Sequence, residues 1–262
     1  MQNEASARRK ASVPTYPDFA GKVAVVTGGS GGIGEATSRL LAANGARVGV
    51  NGRNEAVVAE IRDQGGEAIG AAADVTDFSA VEGIRERVEG EFGPADVLFA
   101  FAGGGIARPG PTAGISEEDW RSSVDGNLTA TFLTIRSFLP GMIERGGGSI
   151  ITMASSAARF PTDAPAPYAA AKAGVIMLTR QLANEVGEHG VRVNCLAPHT
   201  TLTERVRRLM PEDRQRQIAV EIPLGRLGTP EDVGLAALFL ASNASSWITG
   251  VTVDVSGGRT MP

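Results

Sequence analysis

Tyr168 and Lys172 close the segment Tyr168-Ala-Ala-Ala-Lys172, a spacing that puts both side chains on one face of a helix. Such a pair can move a proton. A free phenol titrates near ~10, so lowering it by about 3 units takes about 4 kcal/mol of preference for the phenolate. One ammonium ~4 Å away supplies about 4 kcal/mol at an effective dielectric of ~20. Tyr-x-x-x-Lys alone is a weak signal. With only 2 tyrosines in 262 residues, its arrival after a fifth strand-like segment says more.

A second constellation lies near the start. Val23-Ala-Val-Val-Thr27 runs straight into Gly28-Gly-Ser-Gly-Gly-Ile-Gly34 and then a helical pattern. A strand, glycine turn and helix in that order present free backbone N–H groups and the positive helix end to an anion. Read through Gly29, Gly31 and Gly34, the turn is the G-x-G-x-x-G of a dinucleotide loop. Read through Gly28, Ser30 and Gly32, it is the G-x-S-x-G elbow of a serine hydrolase. The elbow needs a well-placed histidine and several preceding strands. The chain has only His189 and His199, and the turn follows the first strand, so the dinucleotide reading is preferred.

The second strand-like segment bears on which nucleotide. Arg47-Val-Gly-Val-Asn51 is followed by Gly52-Arg53-Asn54, with no Asp or Glu between Val48 and Asn54. An acidic residue near here bonds a ribose 2′-hydroxyl, whereas the fork of Arg53 pairs with a 2′-phosphate. The reading is NADP(H), with NAD(H) as the second choice. Asp74-Val75 is placed to bond the adenine; equally, Asp74 could cap the next helix.

These residues need a frame that brings strand ends together. Short apolar segments recur at Val23–Thr27, Arg47–Asn51, Ala68–Ala73, Val97–Phe101, Ser149–Met153, Val191–Leu196 and Val251–Val255. Near-continuous apolar character is expected of parallel strands covered on both faces. Helical patterns fall between them, as in Gly34–Asn44 and from about Tyr168 to Val186. The expectation is an α/β fold: a doubly wound sheet of about seven parallel strands, helices on both faces, in one domain over residues 19–262. Residues 1–18, polar and carrying Pro14 and Pro17, read as a flexible tail.

Composition excludes other classes. Hydrophobic residues make up 42% and the net charge is -4, so there is a core to bury but no basic surface for a nucleic-acid backbone. No apolar run reaches the ~20 residues of a membrane span. One cysteine, Cys195, cannot form an internal disulfide, which points to the cytoplasm. No metal site is assigned.

The ordered motifs resemble the short-chain dehydrogenase/reductase family, and within it the 3-oxoacyl-carrier-protein reductase-like group. Thr27-Gly28-Gly-Ser-Gly-Gly32-Ile-Gly34 is similar to the family's nucleotide loop. Val124-Asp-Gly-Asn127 looks like the segment with its active-site asparagine. Ser149-Ile-Ile-Thr-Met-Ala-Ser155 leads to a serine that precedes Tyr168 by 13 residues. Arg192–Pro198, Pro223–Val233 and Thr249–Gly258 also match, so the resemblance runs from Phe19 to Gly258. It implies a Rossmann-like fold and hydride exchange between NADP(H) and a carbonyl or alcohol substrate, a 3-oxoacyl thioester among the options. It gives Tyr168 the role of proton donor or acceptor and has Lys172 lower its pKa and hold the nicotinamide ribose. Ser155 would polarise the carbonyl and Asn127 place a water in a relay. For the cofactor it implies Gly28, Ser30, Gly32, Ile33, Gly34, Arg53, Asp74, Val75, Ala102, Gly103, Tyr168, Lys172, Pro198, and Thr201 or Thr203.

Two departures stand out. Where the family has Asn-Asn-Ala-Gly, the chain has Ala100-Phe101-Ala102-Gly103; where it commonly has glycine after the proline, the chain has His199. The missing asparagines keep open a non-catalytic nucleotide-binding protein on the same fold, and a hydrolase using Ser30 is the remaining alternative. Residues 200–222, rich in arginine, lie where the family carries its substrate lid; they could attract an acyl carrier protein or be a solvated helix. The resemblance also implies a homotetramer built on the fourth and fifth crossover helices and the last strand.

Overall fold

A computed structural model describes residues 15–104 and 110–261. Among these, seven parallel strands form one sheet in the order β3-β2-β1-β4-β5-β6-β7. They are β1 Val23–Thr27, β2 Arg47–Val50, β3 Glu67–Gly70, β4 Val97–Ala100, β5 Gly148–Met153, β6 Val191–Pro198 and β7 Thr252–Val255. The helices between them are α1 Gly32–Ala43, α2 Ala56–Asp63, α3 Phe78–Phe92, α4 Glu117–Val124, α5 Ala130–Glu144, α6 Ala166–Val186, α7 Glu204–Leu209, α8 Glu212–Glu221 and α9 Pro230–Ala241.

The unbroken apolar strands follow from burial on both faces. All five residues of β1 and all four of β4 are buried. Ala24, Val26, Val97 and Phe99 face a core built with Leu40 and Leu41 of α1, Ile61 of α2 and Leu238 of α9. Val23, Val25, Leu98 and Ala100 face the opposite core, against Ile84 of α3, Phe138 of α5 and Val186 of α6. Each fully buried Leu, Ile or Phe contributes about 1.5–3 kcal/mol. The order reverses between β1 and β4, and at such a switch point the strand ends leave a crevice for a ligand.

Residues 1–14 of the expected tail lie outside the described residues, and residues 16–18 are not a tail. Phe19 is buried, Tyr16 packs edge-on against it with ring centroids 6.0 Å apart, and the Tyr16 N–H donates to Asn44 Oδ1 at 2.7 Å. Asp18 accepts from the Asn243 N–H at 2.8 Å. Pro17 reads locally as a breaker but sits in a short 3₁₀ turn that swings an aromatic anchor into the core. Among the described residues, no helix is long and apolar enough to cross a membrane.

Candidate active site

The glycine turn is built by close backbone approach. Gly28 has φ +68°, and a Cβ there would lie 3.1 Å from the backbone of Ala102 beyond β4. A Cβ on Gly34 would come within 2.1 Å of the Gly28 carbonyl oxygen. Only glycine lets β1, α1 and the end of β4 converge this tightly. Thr27 reinforces the junction, its Oγ1 accepting from the N–H groups of Phe101 and Ala102 at 3.1 and 3.2 Å. Gly31 precedes α1 and has no side chain to cap it, so the helix's first N–H groups remain for an anion. These residues line a cavity of about 610 Å³ with Arg53, Phe101, Thr203 and Arg208. The uncapped helix end, the bare glycine floor and the arginines fit a dinucleotide.

Asn51 was not anticipated as part of this site. Its side chain accepts from the Gly28 N–H at 3.4 Å and donates to the carbonyls of Ala71 and Ala73 at 2.9 and 3.1 Å. It ties the ends of β1, β2 and β3 together. The signal was present: an asparagine closing an apolar strand must be bonded if buried. Phe101 packs edge-on against Phe99 at 5.5 Å. The support that the missing asparagines put in question comes here from Thr27 and Asn51.

Ser30 points away from any hydrolytic use. Its Oγ accepts from the Asn54 N–H at 3.3 Å, and a Cβ on Gly52 would fall 2.0 Å from that oxygen. His199 bonds elsewhere, so no nucleophile elbow is assembled. The contact also explains why Gly52 stands where an acidic residue could have been. Asp74 does not cap α3: its carboxylate accepts from the N–H and hydroxyl of Thr76 at 2.9 and 2.7 Å. Those bonds lower its pKa, the backbone bond most. The cap of α3 is Asp77, bonded to the N–H groups of Ser79 and Ala80, because it stands immediately before the first helical residue. Val75 is half-buried against the core.

Ser155, Tyr168, Lys172, Asn127 and Gly103 gather beyond the ends of β4 and β5. Ser155 follows β5 and opens a one-turn 3₁₀ helix, accepting from the Ala157 N–H at 3.2 Å. The half-buried Tyr168 faces it, and Ser155 favours the charged form of the phenol. Lys172, one helical turn on, is buried and donates from Nζ to the Met153 carbonyl at 2.7 Å. That Nζ is 5.8 Å from the Tyr168 ring centroid. The electrostatics differ from the expectation of an acidified phenol. Burial pushes the Tyr168 pKa up, with Ser155 opposing, and burial pushes Lys172 down to about 8. Desolvation is the largest influence on both groups here.

Asn127 lies in a π-helical turn, Asp125–Thr129, between α4 and α5. Its Nδ2 donates to the carbonyls of Gly104 and Ser123 at 3.0 and 2.8 Å, and its Oδ1 accepts from the Gly104 N–H at 3.0 Å. The side chain expected to place a water is thus occupied in clamping the β4 loop. A Cβ on Gly103 would meet Asn127 Oδ1 at 2.7 Å and Lys172 Nζ at 3.3 Å. Pro198 ends β6. Of the two threonines beyond it, Thr201 is buried and donates to the His199 carbonyl at 3.0 Å, so it is turned into the backbone. Thr203 caps α7, and a Cβ on Gly32 would lie 3.0 Å from its methyl carbon.

His199 has an unforeseen partner: its Nδ1 is 2.8 Å from Ser156 Oγ. Burial, then the nearby Arg259 charge, lower its pKa. The pair borders a second cavity of about 380 Å³ under α8.

Residues 28–260 match the family model described as Enoyl-(Acyl carrier protein) reductase. The chain is 40% identical over 244 residues to the 3-oxoacyl-[acyl-carrier-protein] reductase FabG of Chlamydia pneumoniae, covering 92% of this chain and 97% of that one. It superimposes on a 7α-hydroxysteroid dehydrogenase solved with NADH and 7-oxo glycochenodeoxycholic acid with a TM-score of 0.87, at 34% identity, over 92% and 94% of the two chains. A Beutenbergia cavernae protein provisionally described as an NAD(P)-dependent gluconate 5-dehydrogenase, with NADP bound at low occupancy, gives a TM-score of 0.85 at 38% identity, over 92% and 97%. With the glycine turn at the switch point and Ser155, Tyr168 and Lys172 gathered beside it, the chain belongs to the short-chain dehydrogenase/reductase family of nicotinamide-nucleotide-dependent oxidoreductases.

Proposed function

We propose that the enzyme exchanges a hydride between NADP(H) and a carbonyl or secondary-alcohol substrate, with Tyr168 transferring the proton. The bound nicotinamide supplies or accepts the hydride. The observation that carries the reading is the Tyr168 hydroxyl facing Ser155, one helical turn from the buried Lys172. In reduction, Tyr168 gives its proton to the substrate oxygen as that oxygen gains charge, worth about 10²–10⁴ in rate. Ser155 donates a hydrogen bond to the same oxygen, worth about 10²–10³. Lys172 supplies the positive charge that steadies the phenolate left behind, and the β4 loop, held by Asn127, passes close to that ammonium because Gly103 has no Cβ.

Arg53 in the nucleotide cavity and the absence of an acidic residue from Val48 to Asn54 support NADP(H) over NAD(H). In this reading Lys172, Tyr168 and Thr203 would hold the nicotinamide end and the glycine turn the pyrophosphate. A second reading of the substrate, a 3-oxoacyl thioester on an acyl carrier protein, rests on Arg205, Arg207 and Arg208 of α7 and on the Chlamydia relative. The free, buried Cys195 supports a cytoplasmic enzyme. Exposed Phe132 on α5, Met177 on α6 and Val253 on the edge strand β7 support a homotetramer. The test is absorbance at the nicotinamide band with purified protein, NADPH or NADH, and a carbonyl panel. Oxidation of NADPH in preference to NADH with some member is expected; binding of both nucleotides without turnover would favour a non-catalytic sensor.

A further inference from the structure

Beyond Ser155 the chain offers a second polar group to the substrate. Ser155 and Ser156 are consecutive, and their hydroxyls face different residues: Ser155 faces Tyr168, and Ser156 bonds His199 at 2.8 Å. A cavity of about 380 Å³ therefore begins one residue from Ser155, the proposed carbonyl-binding serine, and Ser156, Phe160, His199 and Ile218 are in its wall. Its charges cancel in pairs. Arg214 bonds Asp163 at 2.6 Å, and Arg259 bonds Glu221 at 2.9 Å while lying 5.5 Å over the Phe160 ring. A carboxylate or phosphate substrate would have to compete with these carboxylates for its cation. A long acyl chain would have to lie along paired charges. A small neutral molecule with several hydroxyls meets neither cost, and about 380 Å³ is near the small end of ligand pockets.

We propose that His199, its ring fixed by Ser156, is a specificity-determining residue that hydrogen-bonds a second hydroxyl of the substrate, and that the substrates are small uncharged polyols and the matching hydroxyketones. This deepens the reading above and rests on it. With Nδ1 committed to Ser156, Nε2 is the ring atom left for the substrate. Ser156 acts through His199 as a positioning residue.

The test compares chain-matched alcohols with saturating NADP: erythritol, xylitol and sorbitol against 2-butanol, 2-pentanol and 2-hexanol, with an acetoacetyl thioester and NADPH as the carrier-type arm. The wild type is expected to favour polyols by about 100-fold in kcat/KM, as a site built for a hydroxyl rejects its absence. His199→Ala is expected to reduce the xylitol to 2-pentanol ratio about ten-fold, the worth of one hydrogen bond, chiefly through KM. His199→Gln, which keeps a donor and acceptor, restores part of it. Ser156→Ala lowers the ratio and Ser156→Thr returns it. Turnover confined to simple alcohols or the thioester, no turnover of any polyol, or an unchanged ratio in His199→Ala overturns the inference. Proton transfer by Tyr168 is tested separately: a Tyr168→Phe enzyme that still turns over removes the underlying reading instead.

Discussion

Ser155 and Ser156 sit side by side in groups built differently. Around Ser155 each partner is anchored to the sheet: Lys172 to Met153 of β5, Asn127 to Gly104 beyond β4, and Gly103 against both. Around Ser156 the wall comes from the loop at residues 160–164, from α8, which buries none of its residues, and from ion pairs that reach solvent. The first group is held by strand ends with covered faces. The second rests on an element with little apolar area to hold it down, the kind that opens at low cost. Fixed geometry suits the proton transfer, which is common to many substrates, and adaptable walls suit the choice among them.

The contrast makes graded predictions. Lys172→Met is expected to have the largest effect, a loss of about 10³ or more in kcat, since the phenolate loses its neighbouring cation. Stability tests the same residue. With the folded pKa near 8 and the unfolded one near ~10.4, the unfolded chain binds more protons between those values. The unfolding free energy of the wild type therefore rises with pH across that window. Denaturant melts from pH 7.5 to 10.5 are expected to show the wild type gaining about 3 kcal/mol relative to Lys172→Met; parallel curves would mean the ammonium is not desolvated.

Gly103→Ala comes next. Its φ of +146° and the 2.7 Å approach to Asn127 Oδ1 predict a loss of about 1–3 kcal/mol in stability and of kcat with it. Arg53→Asp is expected to raise KM for NADPH about 10–100-fold, as loss of a charge-assisted pair does, while KM for NADH stays within about three-fold. Equal effects would detach Arg53 from the phosphate. The smallest change is expected in the second group: Ser156→Ala costs about 1 kcal/mol or less in a thermal melt. A loss as large as that of Gly103→Ala would erase the distinction between the two groups.

Much of the fold was legible because parallel strands buried on both faces must be apolar throughout. All seven segments were located, most within one or two residues of their ends; β3 stops at Gly70 and β6 runs on to Pro198. Those ends are set by pairing with neighbours, which local pattern does not contain. The helix α6 begins at Ala166, two residues before Tyr168, because Pro165 and Pro167 stand at its start, where proline is tolerated. Ser155, Tyr168 and Lys172 were legible from spacing, since one helix and one strand end place all three. Asn51, the Ser156–His199 pair and the occupied side chain of Asn127 were not, because each depends on partners 20 or more residues away. The direction of the Tyr168 shift also escaped the sequence. Charge spacing is visible in a string of residues; desolvation belongs to the packed interior.

The most direct test is Tyr168→Phe, assayed for nucleotide binding by fluorescence quenching and for turnover with the best substrate found. The proposed proton transfer requires NADPH affinity within about three-fold of wild type and kcat reduced by about 10³ or more. Retention of a tenth of the wild-type kcat with NADPH affinity intact would contradict it.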